Sequence, residues 1–416
     1  LKKAYLLVCV IVLILACGAV AGAVTLDFLE VLTSPERTEL LKGMIAEFEA
    51  ANPDIKINLI SPPYEQADQK LTLMLSANQK LDIIEVRDYT IKQFVNNGKL
   101  LDLTNYWNNW DGVDTLSGIA LSAAKFVDDT PYILPLGIFI KALFMRDDVL
   151  ANYGVNYAPK TVSELVEICR QITDPQKNQY GFAFRGKSAE IKFSDYVASS
   201  FVEAIKDSEY IYSEEKTFFT DPEYKLGMKV YIDLFKKGSP KDSINWGYNE
   251  QINGFVSGVT PFLLQDPDAI PFINQMLGED KYSVVPAPVG PFGFTVLDYG
   301  FNGLGIPSYS EYKEEAWKFI SWMCSPEKNG YFNEHYGTLP VHTITFEENE
   351  HFRGPHYQAF NYEMANPDKY LFKLYPLDSE KWPGWMQIHE ADMQGLLLGN
   401  RDLDEVLTKW DKYWTE

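Results

Sequence analysis

The alternation of apolar and polar residues divides this chain into short periodic segments from Val24 onward. "VTLDFLEV" has the length and apolar content of a strand. Ser34-Pro35 then opens a helix with Leu41, Met44, Ile45 and Phe48 on one face, and Asn52-Pro53 ends it. "IKINLI" alternates as a second strand, a helix follows over roughly Glu65 to Ala77, and "LDIIEV" is a continuous, buried third strand. "YTIKQFVNNG" reads as a short helix closed by Gly98. Strands alternating with helices at this spacing predict an α/β domain with a largely parallel sheet. Ligands of such sheets sit beyond the carboxyl ends of the strands, here Thr33-Ser34 and Arg87-Asp88.

After "DDTPYILPLGIFIKALFMRDDVL" the pattern changes to longer helices with turn-rich joints, such as "PKTVSELVEICRQITD" and "DPEYKLGMKVYIDLFKKG". Further on, "GIPSYSEYKEEAWKFISWMCSPEKNG" joins a short strand to two helices. Ser308 and Glu311 stand at capping-box spacing, with Ser310 a rival cap. Tyr312, Ala316, Phe319, Ile320 and Met323 form the buried face, and Ser325-Pro326 restarts the helix. No internal repeat or long linker interrupts the chain, so two lobes joined by short crossings fit better than separate beads.

Composition narrows the partners. The formal charge is −21 over 416 residues, which argues against nucleic acid or an anionic membrane as the ligand. Lys2 and Lys3 precede the uncharged run "AYLLVCVIVLILAC" and the small residues "GAVAGAV", the organisation of a secretory leader over 1–23. Two processing routes are open. "ILAC" resembles a lipobox, with the signal then ending at 16 and Cys17 carrying lipid; cleavage near Ala21 or Ala23 would release the chain instead. An uncleaved anchor is the third possibility, since Ala4 to Val24 reaches the ~20 residues of a spanning helix. Export places the protein in the periplasm or on the outer face of the cell membrane. Cys169 and Cys324 lie on apolar helical positions and read as buried free thiols.

Catalytic and metal signatures are weak. Residues 181–188, "GFAFRGKS", satisfy the phosphate-loop formula, yet Phe182 and Phe184 occupy a loop that needs small residues, so the match reads as coincidence. No His-Glu-x-x-His or Gly-x-Ser-x-Gly is present, and no metal or cofactor is expected. A secreted glycoside hydrolase, needing two carboxylates facing across a cleft, is the enzyme alternative.

Several segments carry a family resemblance in the correct order. "YGFNGLGIPSYSEYKEEAWKFISWMCSPE", "FEAANPDIKINL", "LDIIEVRDYTIKQFVNNGKLLDLT", "ILPLGIFIKALFMRDDVLANYGVNYAPKTVSELVEICRQITD" and "FVSGVTPFLL" together resemble extracellular solute-binding protein family 1, the maltose-binding-protein-like sugar-binding components of ABC transporters. The resemblance implies a two-lobed α/β fold of the type II periplasmic binding protein kind. Residues 24–133 and 297–338 would form one lobe, and 134–296 and 339–416 the other. Crossings would fall near Pro131–Ile140, Leu297–Asn302 and Gly337–Pro340. It further implies a monomer that captures a mono- or oligosaccharide between the lobes and delivers it to transmembrane permease subunits. A glycerol-phosphate-type or other small polar solute is the alternative ligand.

Sugars present C–H faces to aromatic rings and hydroxyls to charged or amide groups. Trp246, Trp382 and Trp385, in turn-rich segments, are the candidate rings, with Phe139 and Tyr299 at the expected crossings. Ser34, Asp88, Arg185, Gln265, Asp266 and Asn302 are the candidate polar partners. Relatives usually have Gly-Pro-Trp where this chain has Asp266-Pro267-Asp268, so one customary ring is replaced by a carboxylate.

Overall fold

The computed structural model describes residues 23–187, 190–377 and 379–416; the leader and Cys17 lie outside the described residues. The strands, in chain order, are β1 (Val24–Leu29), β2 (Ile55–Ile60), β3 (Ile83–Arg87), β4 (Leu134–Phe139), β5 (Ala142–Met145), β6 (Phe262–Gln265), β7 (Ser283–Val285), β8 (Thr295–Asp298), β9 (Gly300–Gly305) and β10 (Tyr370–Lys373). The first lobe holds the sheet β2-β1-β3-β9-β4. β1 is parallel to β2 and β3, whereas β9 is antiparallel to β3 and β4. The second lobe holds the antiparallel sheet β6-β5-β7 and the parallel pair β10-β8.

Two strands of the first sheet run directly into strands of the second lobe. β4 leads to β5 through Ile140-Lys141, and β8 leads to β9 through Tyr299. The first crossing therefore follows β4, which stays in the first lobe rather than opening the second at 134. The last crossing also comes later than Gly337–Pro340. Leu339 bridges Ile138 of β4, Ser117 N donates to Val341 O, and Thr343 Oγ1 donates to Thr115 O, so this stretch remains on the first lobe. His356 then stacks on Tyr282 beside β7 at 4.1 Å.

Caps explain the helix starts. Ser34 Oγ accepts from Arg37 N to open the helix Pro35–Ala51, Thr161 Oγ1 from Glu164 N for Val162–Ile172, and Asp221 Oδ1 from Glu223 N for Pro222–Gly238. The expected caps at Ser308 and Ser310 do not form. The helix begins at Lys313, because Ser308 Oγ donates to Gly98 O and Ser310 Oγ to Asp82 Oδ1, tying the loop to the sheet edge instead. Phe182 and Phe184 of the phosphate-loop look-alike are buried in the second lobe's core. There Gly181 permits close packing: a Cβ on it would lie 2.3 Å from Cys169 Cα. Cys169 and Cys324 are both buried and free.

The first lobe contains an ionic group with almost no solvent access. Arg37 Nη1 pairs with Glu30 Oε2 at 2.8 Å and Nη2 with Glu85 Oε1 at 2.6 Å, all three at most 1% exposed. Glu85 Oε2 accepts from Val31 N and Leu32 N, Glu85 Oε1 from Asn302 Nδ2, and Glu30 Oε1 from Thr38 Oγ1. Burial alone would raise the Glu85 carboxyl. The Arg37 charge and the Leu32, Val31 and Asn302 donors outweigh it and hold the pKa below its usual value. Among the described residues Arg37 is the cation that pairs with both Glu30 and Glu85, so Arg37→Met would strand them. We expect a loss of about 3–5 kcal/mol in urea unfolding at pH 7. Glu85's folded pKa is depressed, so its contribution is complete above the unfolded value and fades as pH falls through the folded one. In Arg37→Met burial is no longer opposed by that charge and raises Glu85, so the variant gains stability as pH falls. The gap to wild type should accordingly narrow from pH 7 down through about pH 4, near the ordinary glutamate value; a gap independent of pH would refute this ionic account.

Candidate functional site

The carboxyl ends of β1 and β3, the end of β4 and the start of β9 converge on a cleft of 780 Å³ between the lobes. The first lobe contributes Thr33 and Ser34 after β1, Tyr64, Arg87 and Asp88 at the end of β3, Phe139, Asn302 and Tyr336. Lys141 enters from the first crossing. The second lobe contributes Arg185, Lys192, Phe193, Tyr248, Asp266 and Asp268.

Three cations of this cleft, Arg87, Lys141 and Lys192, pair with carboxylates. Lys141 Nζ lies 3.3 Å from Asp298 Oδ1 and 3.5 Å from Asp266 Oδ1, and Lys192 Nζ lies 2.8 Å from Asp298 Oδ2. Burial would raise the Asp298 carboxyl, but Lys141 and Lys192 reverse the shift and hold it low. Burial would lower Lys192, and Asp298 with Asp88 raises it instead. Arg87 lies 3.4 Å from Asp68 Oδ2, and its guanidinium covers the Tyr64 ring at 4.9 Å. It also donates to Val31 O, fixing the loop after β1. Arg185 sits over Phe193 and Tyr248 at 5.9 and 5.8 Å. Burial lowers its pKa, opposed by the nearby charges of Asp266 and Asp268.

The acids face the opposite problem. Burial raises the Asp88 carboxyl, Lys192 opposing. Burial and then the Asp266 charge push Asp268 well above the usual carboxylate range. Asp268 Oδ1 accepts no hydrogen bond among the described residues, and Asp266 Oδ1 accepts none beyond its 3.5 Å ionic contact with Lys141. A wall of underused acceptors beside ring faces can take hydroxyl donors and the C–H faces that accompany them.

Of the residues singled out from sequence, Ser34, Asp88, Phe139, Arg185, Asp266 and Asn302 line this cleft. Gln265 stands behind it, accepting from Asp266 N and donating to Gln251, whose own amide donates to Ala183 O. It positions Asp266. The aromatic expectations fare differently. Trp246 donates to Asp242, its ring so close to Gly254 that a Cβ there would sit 2.6 Å away. Tyr299 packs near Phe301 and Phe372, and Trp382 on Tyr375. Trp385 is 0% exposed, donates to Tyr212 Oη and is enclosed by Phe219, Trp410, Tyr413 and Trp414. It presents no face to a ligand; the rings that line the cleft are Phe139, Phe193, Tyr64, Tyr248 and Tyr336. Lys141 was missed although it had a signal: it is the one charge inside "LPLGIFIKALFM", and at 4% exposure it requires a partner.

Two α/β lobes exchanging chain beneath a cleft at their strand ends define a two-lobed periplasmic-type binding protein. The chain belongs to the bacterial extracellular solute-binding protein family, whose model matches residues 34–330. A binding protein of Brucella abortus is 26% identical over 422 residues, covering 97% of this chain and 95% of its own. The mannitol-binding protein of Pseudomonas aeruginosa is 23% identical over 291 residues, 67% of this chain and 64% of its own. Among solved structures, maltose-bound MalE3 of T. maritima superposes with a TM-score of 0.80 at 20% identity, over 94% of this chain and 99% of that one.

The placement of Trp385 is directly testable. Trp385→Ala should cost about 3–5 kcal/mol of stability, as for other large core aromatics. At a temperature where the variant remains folded, its ligand affinity should stay within about twofold, well inside the 1.4 kcal/mol of a tenfold change. Calorimetry beside thermal unfolding checks both; normal stability with weakened binding would return Trp385 to the site.

Proposed function

We propose that this protein is the substrate-binding component of an ABC importer, taking a neutral carbohydrate or polyol into the inter-lobe cleft and passing it unchanged to transmembrane permease subunits. The observation that carries the ligand class is the charge balance of the cleft. Arg87, Lys141 and Lys192 each pair with a carboxylate and Arg185 lies over the Phe193 and Tyr248 rings, so three of the cleft's four cations are already committed, while Asp266 and Asp268 keep acceptor capacity for hydroxyls. That balance favours a polyhydroxylated solute over a glycerol-phosphate type. The mannitol-binding and maltose-bound relatives support the same class.

The proposed binding set is Ser34, Asp88, Phe139, Arg185, Asp266 and Asn302 from the sequence reading, joined by Lys141, Lys192, Tyr64, Tyr248, Asp268 and Tyr336. Closure would rotate the lobes about Ile140-Lys141, Tyr299 and the stretch between Thr343 and His356. Export by the leader, with Cys17 lipid-linked or the chain released, and a monomeric state complete the proposal. No helix among the described residues is long and apolar enough to cross a membrane.

Binding calorimetry against hexoses, hexitols, pentitols, oligosaccharides and glycerol 3-phosphate, with product analysis after long incubation, tests this reading. A carbohydrate or polyol should bind without conversion, and the phosphate should not. Asp268→Ala should weaken binding roughly 2- to 13-fold, the loss of a hydrogen bond worth about 0.5–1.5 kcal/mol. Preferential binding of glycerol 3-phosphate, or steady release of reducing ends, would overturn it.

A further inference from the structure

A second cavity of 590 Å³ opens beside the cleft. The two share Ser34, Tyr248, Asn249, Asp268 and Tyr336, so they form one trough narrowed at those residues. One wall of this annex is first-lobe, from the opening turns of the helix Pro35–Ala51 and the end of the helix Pro326–Tyr336. The other is second-lobe, from the helices Tyr248–Val256 and Ile270–Leu277. The walls meet at Gly337, where a Cβ would fall 2.8 Å from Pro271 Cγ.

Its chemistry continues that of the cleft with fewer cations, its carboxylates being Glu36 and the shared Asp268. Arg37 is the only Lys or Arg in its lining, and that guanidinium is committed to Glu30 and Glu85. Beside Glu36, Asp268 and His335 the lining carries three amides, Asn249, Asn253 and Gln275, groups that both donate to and accept from hydroxyls. Phe272, 42% exposed, adds a ring at the rim. The cleft alone has the volume of an ordinary small-molecule site, while cleft and annex together exceed the ~300–1,000 Å³ of that class.

We propose that the physiological ligand is an oligosaccharide rather than a single sugar or polyol, with its inner unit in the cleft and its outer units in the annex against Asn253, Phe272 and Gln275. This rests on the carbohydrate reading above. Ring faces and amides continuing past Tyr248 and Tyr336 give successive sugar units the same kind of partner. Phe272, Asn253 and Gln275 line only the annex, so they act on the outer units alone.

Calorimetry of the wild type, Phe272→Ala and Asn253→Ala/Gln275→Ala with mannitol and with malto-, xylo- and manno-oligosaccharides of one to four units tests the assignment. In the series that binds, affinity should rise at least about tenfold, or about 1.4 kcal/mol, from one unit to three. Both variants should remove most of that gain and leave the one-unit affinity unchanged. Mannitol or single sugars binding as tightly as the longer members would overturn the annex while leaving the carbohydrate reading intact. A length-dependent gain that both variants retain would overturn its location. Binding to no member of the panel would overturn the carbohydrate reading and this inference with it.

Discussion

The architecture hangs on one buried carboxylate, Glu85. Its oxygens receive Arg37 from the helix after β1, Asn302 from β9, and the backbone of Val31 and Leu32. Arg37, Val31 and Leu32 lie 48 to 54 residues before Glu85 and Asn302 lies 217 after it, and all carry residues of the cleft beside them. Ser34, Asp88 and Asn302 thus inherit their positions from a charge that never meets the ligand. A carboxylate at zero exposure is tolerable only because Arg37 and several donors saturate it. The same group therefore sets lobe stability and site geometry.

A second ionic chain links the site to the hinge. Asp298, the last residue of β8, pairs with Lys141 in the first crossing and with Lys192 in the second lobe. Asp88 of the first lobe lies within the field of Lys192. Two crossings and both lobes consequently share one group of buried charges at the base of the cleft. Rotation of the lobes would alter the distances in that group, and a ligand touching Asp88 or Lys192 would bias the rotation through it.

Much of this was readable from the chain. The strand–helix alternation located the parallel half of the first sheet, and the ends of its strands gave Ser34 and Asp88. The order of family segments gave the two-lobed arrangement, Arg185, Asp266 and Asn302. The aromatic residues were harder to place for local reasons. "KWPGW" reads as a turn, yet its proline stands in the first turn of the helix Trp382–Leu398, where a missing N–H costs nothing. Gly384 there lets Tyr413 Oη approach to where a Cβ would be 2.8 Å away, closing the core over Trp385. Tyr248 and Tyr336 come from opposite lobes and share the cleft only once the crossings are set, which no local pattern encodes. The late third crossing was hidden for the same reason, since the stretch from Leu339 to Thr343 is held on the first lobe by contacts to Ile138, Ser117 and Thr115, all distant in sequence.

The central claim is that a charge-balanced cleft selects a neutral polyhydroxylated solute. Its most direct test is mass spectrometry of the small molecule released by unfolding freshly purified protein. Native spectra before release fix its stoichiometry. The account predicts one neutral carbohydrate or polyol per chain. A phosphorylated, cationic or apolar solute in its place would contradict it.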